Sequence, residues 1–166
     1  MRFHPGAIVI ANPFTDSGQL RWIKQALTIY PSACDFLSNL DSEWKYPSPR
    51  SEIDWWKSAN GKLEHAPIWK LRWVTFGYHH DWNTKVRQPL VGSFITICLL
   101  KVYSEAKKSP FPDDVGRLSS VFAAVLGYPH FAPQAAIVNF YHLSSTLGIH
   151  QDISEPYTEA PLISVR

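Results

Sequence analysis

The 166-residue sequence predicts an α+β domain. Helix and strand patterns are mixed along it without internal repeat, and the two best strand patterns come late, at Leu71 to Tyr78 and Ala135 to Tyr141. A content of 45% hydrophobic and 14% aromatic residues supports one packed domain with a substantial core.

In order, Ala7 to Ala11 (AIVIA) predicts a short buried strand closed by Asn12-Pro13. Asp16 or Ser17 can cap a helix through about Ile29, with Leu20, Ile23, Lys24 and Leu27 on one face, and Tyr30-Pro31-Ser32 ends it. Residues 38–66 are polar and hold Pro47 and Pro49, which predicts a long connection with one helix around Ser51 to Ala59. Leu71 to Tyr78 (LRWVTFGY) alternates and is rich in β-branched and aromatic residues. Pro110 to Asp114 starts a helix through about Leu126, with Val115, Leu118, Phe122 and Val125 on one face, and Gly127-Tyr128-Pro129 stops it. Ala135 to Tyr141 is the second strong strand, and Pro161 to Val165 begins a third.

Charge and composition exclude little. Sixteen basic and 14 acidic residues give a net charge of +2, which a local basic groove can still accompany. Seven tryptophans can fill a core, line pockets or stack on bases. Cys34 and Cys98 make neither a disulfide framework nor a metal spacing, so a reducing compartment is the simpler assumption. The N-terminal apolar run is too short for a signal segment. The run Pro89 to Leu100 (PLVGSFITICLL) falls short of the ~20 residues of a membrane span. We therefore expect a soluble chain without membrane contact.

The chemistry sits near the C-terminal end. In an extended chain, residues i and i+2 share a side of the pleat, so His150 and Asp152 converge while Gln151 faces away. Imidazole plus carboxylate is two thirds of the facial triad that holds non-haem Fe(II). An isolated match of this kind is more often a surface histidine beside a solvated aspartate. Other histidines add less. His142 lies before an irregular Ser144 to Gly148 stretch, His79-His80 reads as polar surface, and His130 follows a Tyr-Pro turn.

The surroundings change the weighting. Asn139-Phe140-Tyr141, Gly148-Ile149, His150-Gln151-Asp152, Glu155-Pro156 and Pro161 to Val165 together resemble the AlkB family of Fe(II)- and 2-oxoglutarate-dependent dioxygenases. Leu71 to Tyr78 and Ser144 to His150 resemble its eukaryotic branch called AlkB homologue one. Phe111 to Asp114, Gly127 to Phe131 and Pro133 to Ala136 match the family's helix and approach strand. The resemblance covers most of residues 5–166 and is most specific from about 109 onward.

The resemblance implies a helix and strand region leading into a double-stranded β-helix (a jelly roll), here incomplete, with residues 1–166 as one domain. It implies Fe(II) held by His150 and Asp152, with 2-oxoglutarate and O2 as co-substrates and Asn139 and Tyr141 binding 2-oxoglutarate. Read without it, Asn139 and Tyr141 are polar residues at a strand end that share one face. Trp73 and Tyr78 fall in the family's nucleotide-recognition segment, where an aromatic can stack on a flipped base; ordinary core packing is the competing reading for Trp73. Glu155 and Gln151 fall at the mouth of the site, and a solvated loop glutamate is the plain alternative for Glu155. The implied partner is nucleic acid, DNA or RNA, and the implied activity is oxidative demethylation of bases in DNA or tRNA. The chain is expected to be a monomer inside the cell, with nucleus, cytoplasm and organelles all open.

Two departures from the family stand out. The sequence has no histidine after His150, and its one later arginine is Arg166, so the distal iron ligand and the 2-oxoglutarate-binding arginines are not among these residues. Val86 to Lys101 is an atypical insertion. Both departures begin with Val-Arg, at Val86-Arg87 and Val165-Arg166, which a 5′ splice site read in frame encodes. We expect both segments to be translated intron; spliced messages that all keep them would contradict this. The 166-residue polypeptide is accordingly expected to be inactive and aggregation-prone, and release of succinate from 2-oxoglutarate by it would refute that. The alternative is a non-catalytic truncated product or nucleic-acid-binding fragment, supported by the aromatic strand and Lys107-Lys108.

Overall fold

In the computed structural model, described residues are 2–4, 6–42, 48–60, 67–79, 105, 108–150 and 160–166. The insertion at 86–101 lies outside them. The elements are β1 (Arg2–His4), β2 (Ala7–Ile8), α1 (Asp16–Lys24), a π-helical turn (Gln25–Ile29), α2 (Tyr30–Ser32) and β3 (Leu37–Ser38). A 3₁₀ turn (Arg50–Glu52), α3 (Trp55–Ala59), a second 3₁₀ turn (Pro67–Trp69), β4 (Trp73–Gly77), α4 (Asp113–Val125) and β5 (Ala135–Asn139) follow. Helices with antiparallel sheet make this an α+β arrangement.

The centre is a three-stranded antiparallel sheet in the order β3-β4-β5. Val74 and Phe76 on β4 point into the core with Leu71, Tyr30, Phe36, Leu40, Trp55 and Ile68. Val138 and Ala136, their cross-strand neighbours on β5, pack against the same cluster. Tyr30, Phe36 and Phe76 meet edge to face, with centroids 4.6–6.2 Å apart. Arg50 reaches in from the first 3₁₀ turn. Its Nη2 donates to the Ala33 and Phe36 carbonyls at 3.1 and 2.6 Å, and its Nη1 pairs with Asp41 at 3.3 Å. A buried guanidinium held this way ties the loop after α2 to the rest of the core.

Several elements differ from expectation. The predicted buried strand at Ala7 to Ala11 shrinks to β2, paired only with β1 in a separate two-stranded sheet, and Ile8, Val9 and Ile10 stay about half exposed (46–50%). The helix cap is Thr15, whose Oγ1 accepts the Gly18 N–H at 3.2 Å, which leaves Asp16 in the first turn. On α1 only the far end meets the core: Leu20 and Ile23 are half exposed, while Ala26 and Leu27 in the π turn pack inward. The helix then runs through Tyr30 and Pro31, both buried, before Ala33 turns extended. The polar connection contains β3, whose side-chain pattern is too short to read. On α4 the fully buried residue is Ala123, and Val125 is 78% exposed. The strand expected at Pro161 to Val165 is absent because nothing among the described residues pairs with it. β5 pairs along its whole length with β4.

Candidate functional site

One face of the sheet packs into the core; on the other, Thr75 of the central strand is buried while Ile137 and Asn139 on the edge strand β5 are exposed, and the register decides what lies beside them. Phe140 N–H donates to the Arg72 carbonyl and Tyr78 N–H to the Gln134 carbonyl. Trp73 and Asn139 therefore face each other as a non-hydrogen-bonded pair, the closer of the two antiparallel arrangements. Thr75 opposes Ile137 and Leu37 on the same side. Tyr141 follows Asn139 by two positions and is 57% exposed, and burial alternates along β5 as a half-covered strand requires. Asn139 thus lies exposed at the end of β5 with Trp73 beside it, and Tyr141 lies two positions beyond the strand.

Two devices hold Trp73 in place. Asn39 uses its side-chain amide like a strand backbone: its Oδ1 accepts from the Arg72 and Trp73 N–H groups at 2.7 and 3.2 Å, and its Nδ2 donates to the Lys70 carbonyl. His79 lies against the Trp73 ring with centroids 5.4 Å apart and planes 32° from parallel. Its Nδ1 shares a 3.1 Å hydrogen bond with the Thr75 hydroxyl. Trp73 is half buried, a state between the stacking and the core readings of it.

Tyr78 is not brought to the same spot. It lies past the opposite end of β4, about 17 Å of strand away, and Gly77 (φ 67°) breaks the alternation before it. Its hydroxyl donates to the Glu105 carboxylate, the Lys108 ammonium sits 4.4 Å from its ring centroid, and Lys108 also pairs with Glu105 at 3.8 Å. Lys108, expected to help attract nucleic acid, is engaged in this cluster instead.

His150 is exposed, and its Nδ1 lies 2.9 Å from the Gly148 carbonyl. A carbonyl only accepts, so the neutral ring carries its proton on Nδ1 and its lone pair on Nε2, the tautomer a metal-binding imidazole uses. The chemistry of the present donors thus fits Fe(II). The exposed Asn139 amide and Tyr141 hydroxyl are donors of the kind that bind a carboxylate ligand such as 2-oxoglutarate. Asp152, Gln151 and Glu155 lie outside the described residues, and among the described residues no three His, Cys, Asp or Glu side chains form a metal-sized group. No helix among them is long and apolar enough to cross a membrane.

Sequence reasoning missed Asn39, His79 and a stacked pair, Trp69 and His142. Asn39 sits in a segment read as featureless connection, and His79 was assigned to polar surface. Only the strand register, which no local pattern reveals, brings these groups to the site. His130 is exposed, as expected.

Comparison with known proteins bears on all of this. The chain is 37% identical over 176 residues to the human protein described as nucleic acid dioxygenase ALKBH1, an alignment covering 99% of this chain and 39% of that one. It is 34% identical over 169 residues to the mouse protein of the same description, again covering 39% of it. With the Schizosaccharomyces pombe protein described as tRNA demethylase abh1 it shares 29% identity over 181 residues, covering 97% of this chain and 53% of the relative. The chain therefore spans between about two fifths and one half of the length of these relatives. The sequence model of the 2OG-Fe(II) oxygenase superfamily matches residues 6–166, a span that takes in Asn139, its aromatic neighbour and His150 alike. This chain belongs to the 2OG-Fe(II) oxygenase superfamily.

Proposed function

We propose that these residues form part of the catalytic domain of an Fe(II)/2-oxoglutarate-dependent dioxygenase that oxidatively demethylates bases in DNA or tRNA. The observation that supports the reading is that Asn139 is exposed at the end of β5 with Trp73 opposite it, and that Tyr141, two positions further on, is exposed as well. The descriptions of the relatives, a nucleic acid dioxygenase and a tRNA demethylase, support the substrate class.

In this reading β4 and β5 are early strands of a jelly roll, and residues 1–166 belong to one domain. His150 supplies Nε2 to Fe(II), and Asp152 supplies a carboxylate. Asn139 and Tyr141 donate hydrogen bonds that orient the co-substrate. Trp73, fixed by Asn39 and His79, offers an aromatic surface beside it, with Tyr78, Gln151 and Glu155 as further substrate contacts. When bound, the iron couples decarboxylation of 2-oxoglutarate by O2 to hydroxylation of a methyl group, which then leaves as formaldehyde. A distal histidine and the arginines that pair with 2-oxoglutarate come from outside these 166 residues. The working site is intracellular, in nucleus, cytoplasm or an organelle.

The test is a methylated oligonucleotide assay on this chain extended to the length of its relatives, following formaldehyde and succinate. His150→Ala should abolish both products. Asn139→Ala should raise the KM for 2-oxoglutarate about tenfold or more, the worth of a hydrogen bond to a charged group. Unchanged KM in Asn139→Ala, with wild-type activity measurable, would remove the co-substrate role.

A further inference from the structure

At the end of the sheet where Asn139 lies, the structure places an aromatic and basic group that the proposed reaction does not use. Trp69, the last residue of the second 3₁₀ turn, is 57% exposed. One face of its indole is covered by the His142 imidazole, with ring centroids 5.4 Å apart and planes 32° from parallel. His142 is itself pinned: its N–H donates to the Ser145 hydroxyl at 3.2 Å, and its carbonyl accepts the Ser145 N–H at 2.8 Å. Its Nε2 is buried with no hydrogen-bond partner among the described residues, where stacking on Trp69 holds the ring.

Lys70 and Arg72 follow directly, both exposed and neither in an ion pair among the described residues. Arg72 Nη1 donates to the Trp69 carbonyl at 3.0 Å and to the Leu71 carbonyl at 3.3 Å, which keeps the guanidinium at the foot of the indole. The Lys70 carbonyl is held by Asn39, the residue that also fixes Trp73. An exposed tryptophan costs solvation unless something covers it. Two exposed cations beside it, without an ion pair among the described residues, suit a partner that is flat, apolar on its faces and negatively charged along its length.

We propose that Trp69, Lys70, Arg72 and His142 form a stacking platform for single-stranded nucleic acid, binding a nucleotide that flanks the target base. The free indole face stacks on one base, the two cations meet adjacent phosphates, and His142 keeps the indole from folding down. Pre-ordering of the rings by His142 and Ser145 reduces the entropy lost on binding. The inference rests on the nucleic-acid reading above and extends it to residues other than Asn139, Tyr141 and Trp73. It needs neither iron nor 2-oxoglutarate.

The experiment titrates the 166-residue protein, free of iron and 2-oxoglutarate, into a fluorescein-labelled oligothymidylate of about 12 nucleotides and follows anisotropy at several salt concentrations. Trp69→Leu should weaken binding about tenfold, and Trp69→Phe should keep most of the affinity. The pair Lys70→Gln and Arg72→Gln should lower the slope of log K against log salt by about 1.4. All three positions are exposed, and unchanged far-ultraviolet circular dichroism verifies folding. Wild-type binding that these variants leave intact overturns the platform while sparing the nucleic-acid reading. Absence of binding by the wild type at low salt counts against both. A Trp69→Leu protein that binds normally but changes its sedimentation identifies the patch as a contact between copies and overturns the proposal.

Discussion

A Cβ added at Gly77 would stand 2.0 Å from the Gln134 carbonyl oxygen, in backbone already at φ 67°. Neither the backbone nor the contact can yield without pulling β4 from β5 where they are most tightly stitched. Gly77→Ala should therefore cost about 2–3 kcal/mol of stability, measured by urea unfolding. Tyr30 presents the opposite case. Its hydroxyl is buried without a partner, and burial, reinforced by Asp114, pushes its ionisation well above the usual tyrosine range. Tyr30→Phe keeps the edge-to-face contacts with Phe36 and Phe76 and removes an unsatisfied polar atom. Its stability should match the wild type within about 1 kcal/mol or exceed it.

Short elements here depend on their ends. α3 has five residues and is capped by Asp54, whose Oδ1 accepts the Lys57 N–H at 2.9 Å. That backbone bond, with a smaller part from the Lys57 side chain, holds the Asp54 carboxyl below its ordinary pKa. A depressed acid contributes stability that is complete above its unfolded pKa of about 3.9 and is lost as pH falls through its lower folded value. The difference in stability between wild type and Asp54→Asn should hence be flat above about pH 5 and shift against the wild type below about pH 4. The π turn at Gln25–Ile29 explains why the expected face of the first helix failed. One extra residue in a turn advances the phase of everything after it, so Tyr30 and Pro31 enter the core while Ile29 is 54% exposed. A period of 3.6 cannot reveal such a shift, whereas the extents of α4 and β4 were legible from sequence, although Val125 on the expected face of α4 is exposed and Ala123 is the buried residue. The i, i+2 spacing of Asn139 and Tyr141 was readable as well. Pairing of Trp73 with Asn139 was not, because register between strands some sixty positions apart leaves no local trace.

At the scale of the molecule, apolar side chains crowd the region around the candidate site. Ile137, Leu143, Leu147, Ile149 and Leu162 are all more than 40% exposed, close in sequence to Asn139 and His150. The same chain buries Phe76, Leu71 and Trp55 almost completely on the other side of the sheet. The exposed apolar residues thus gather on the edge strand β5 and the chain that follows it, away from the core face of the sheet. A different property of the chain follows from how β4 ends. Gly77 N–H donates to the Pro110 carbonyl, Ser109 N–H donates back to Gly77 at 2.9 Å, and the Ser109 hydroxyl lies 3.3 Å from the same carbonyl. Gly77 and Ser109 are thus clasped together at the end of β4. Loop-closure entropy between two clasped points grows slowly with length, by about 0.6 kcal/mol per doubling. Excising Val86 to Lys101, roughly half of the residues between Gly77 and Ser109, should on loop length alone change stability by less than about 1 kcal/mol, measured by thermal unfolding. The clasp lies at the Gly77 end of β4, opposite the end where the register sets Trp73 against Asn139, so a change of length between Gly77 and Ser109 acts away from that pair.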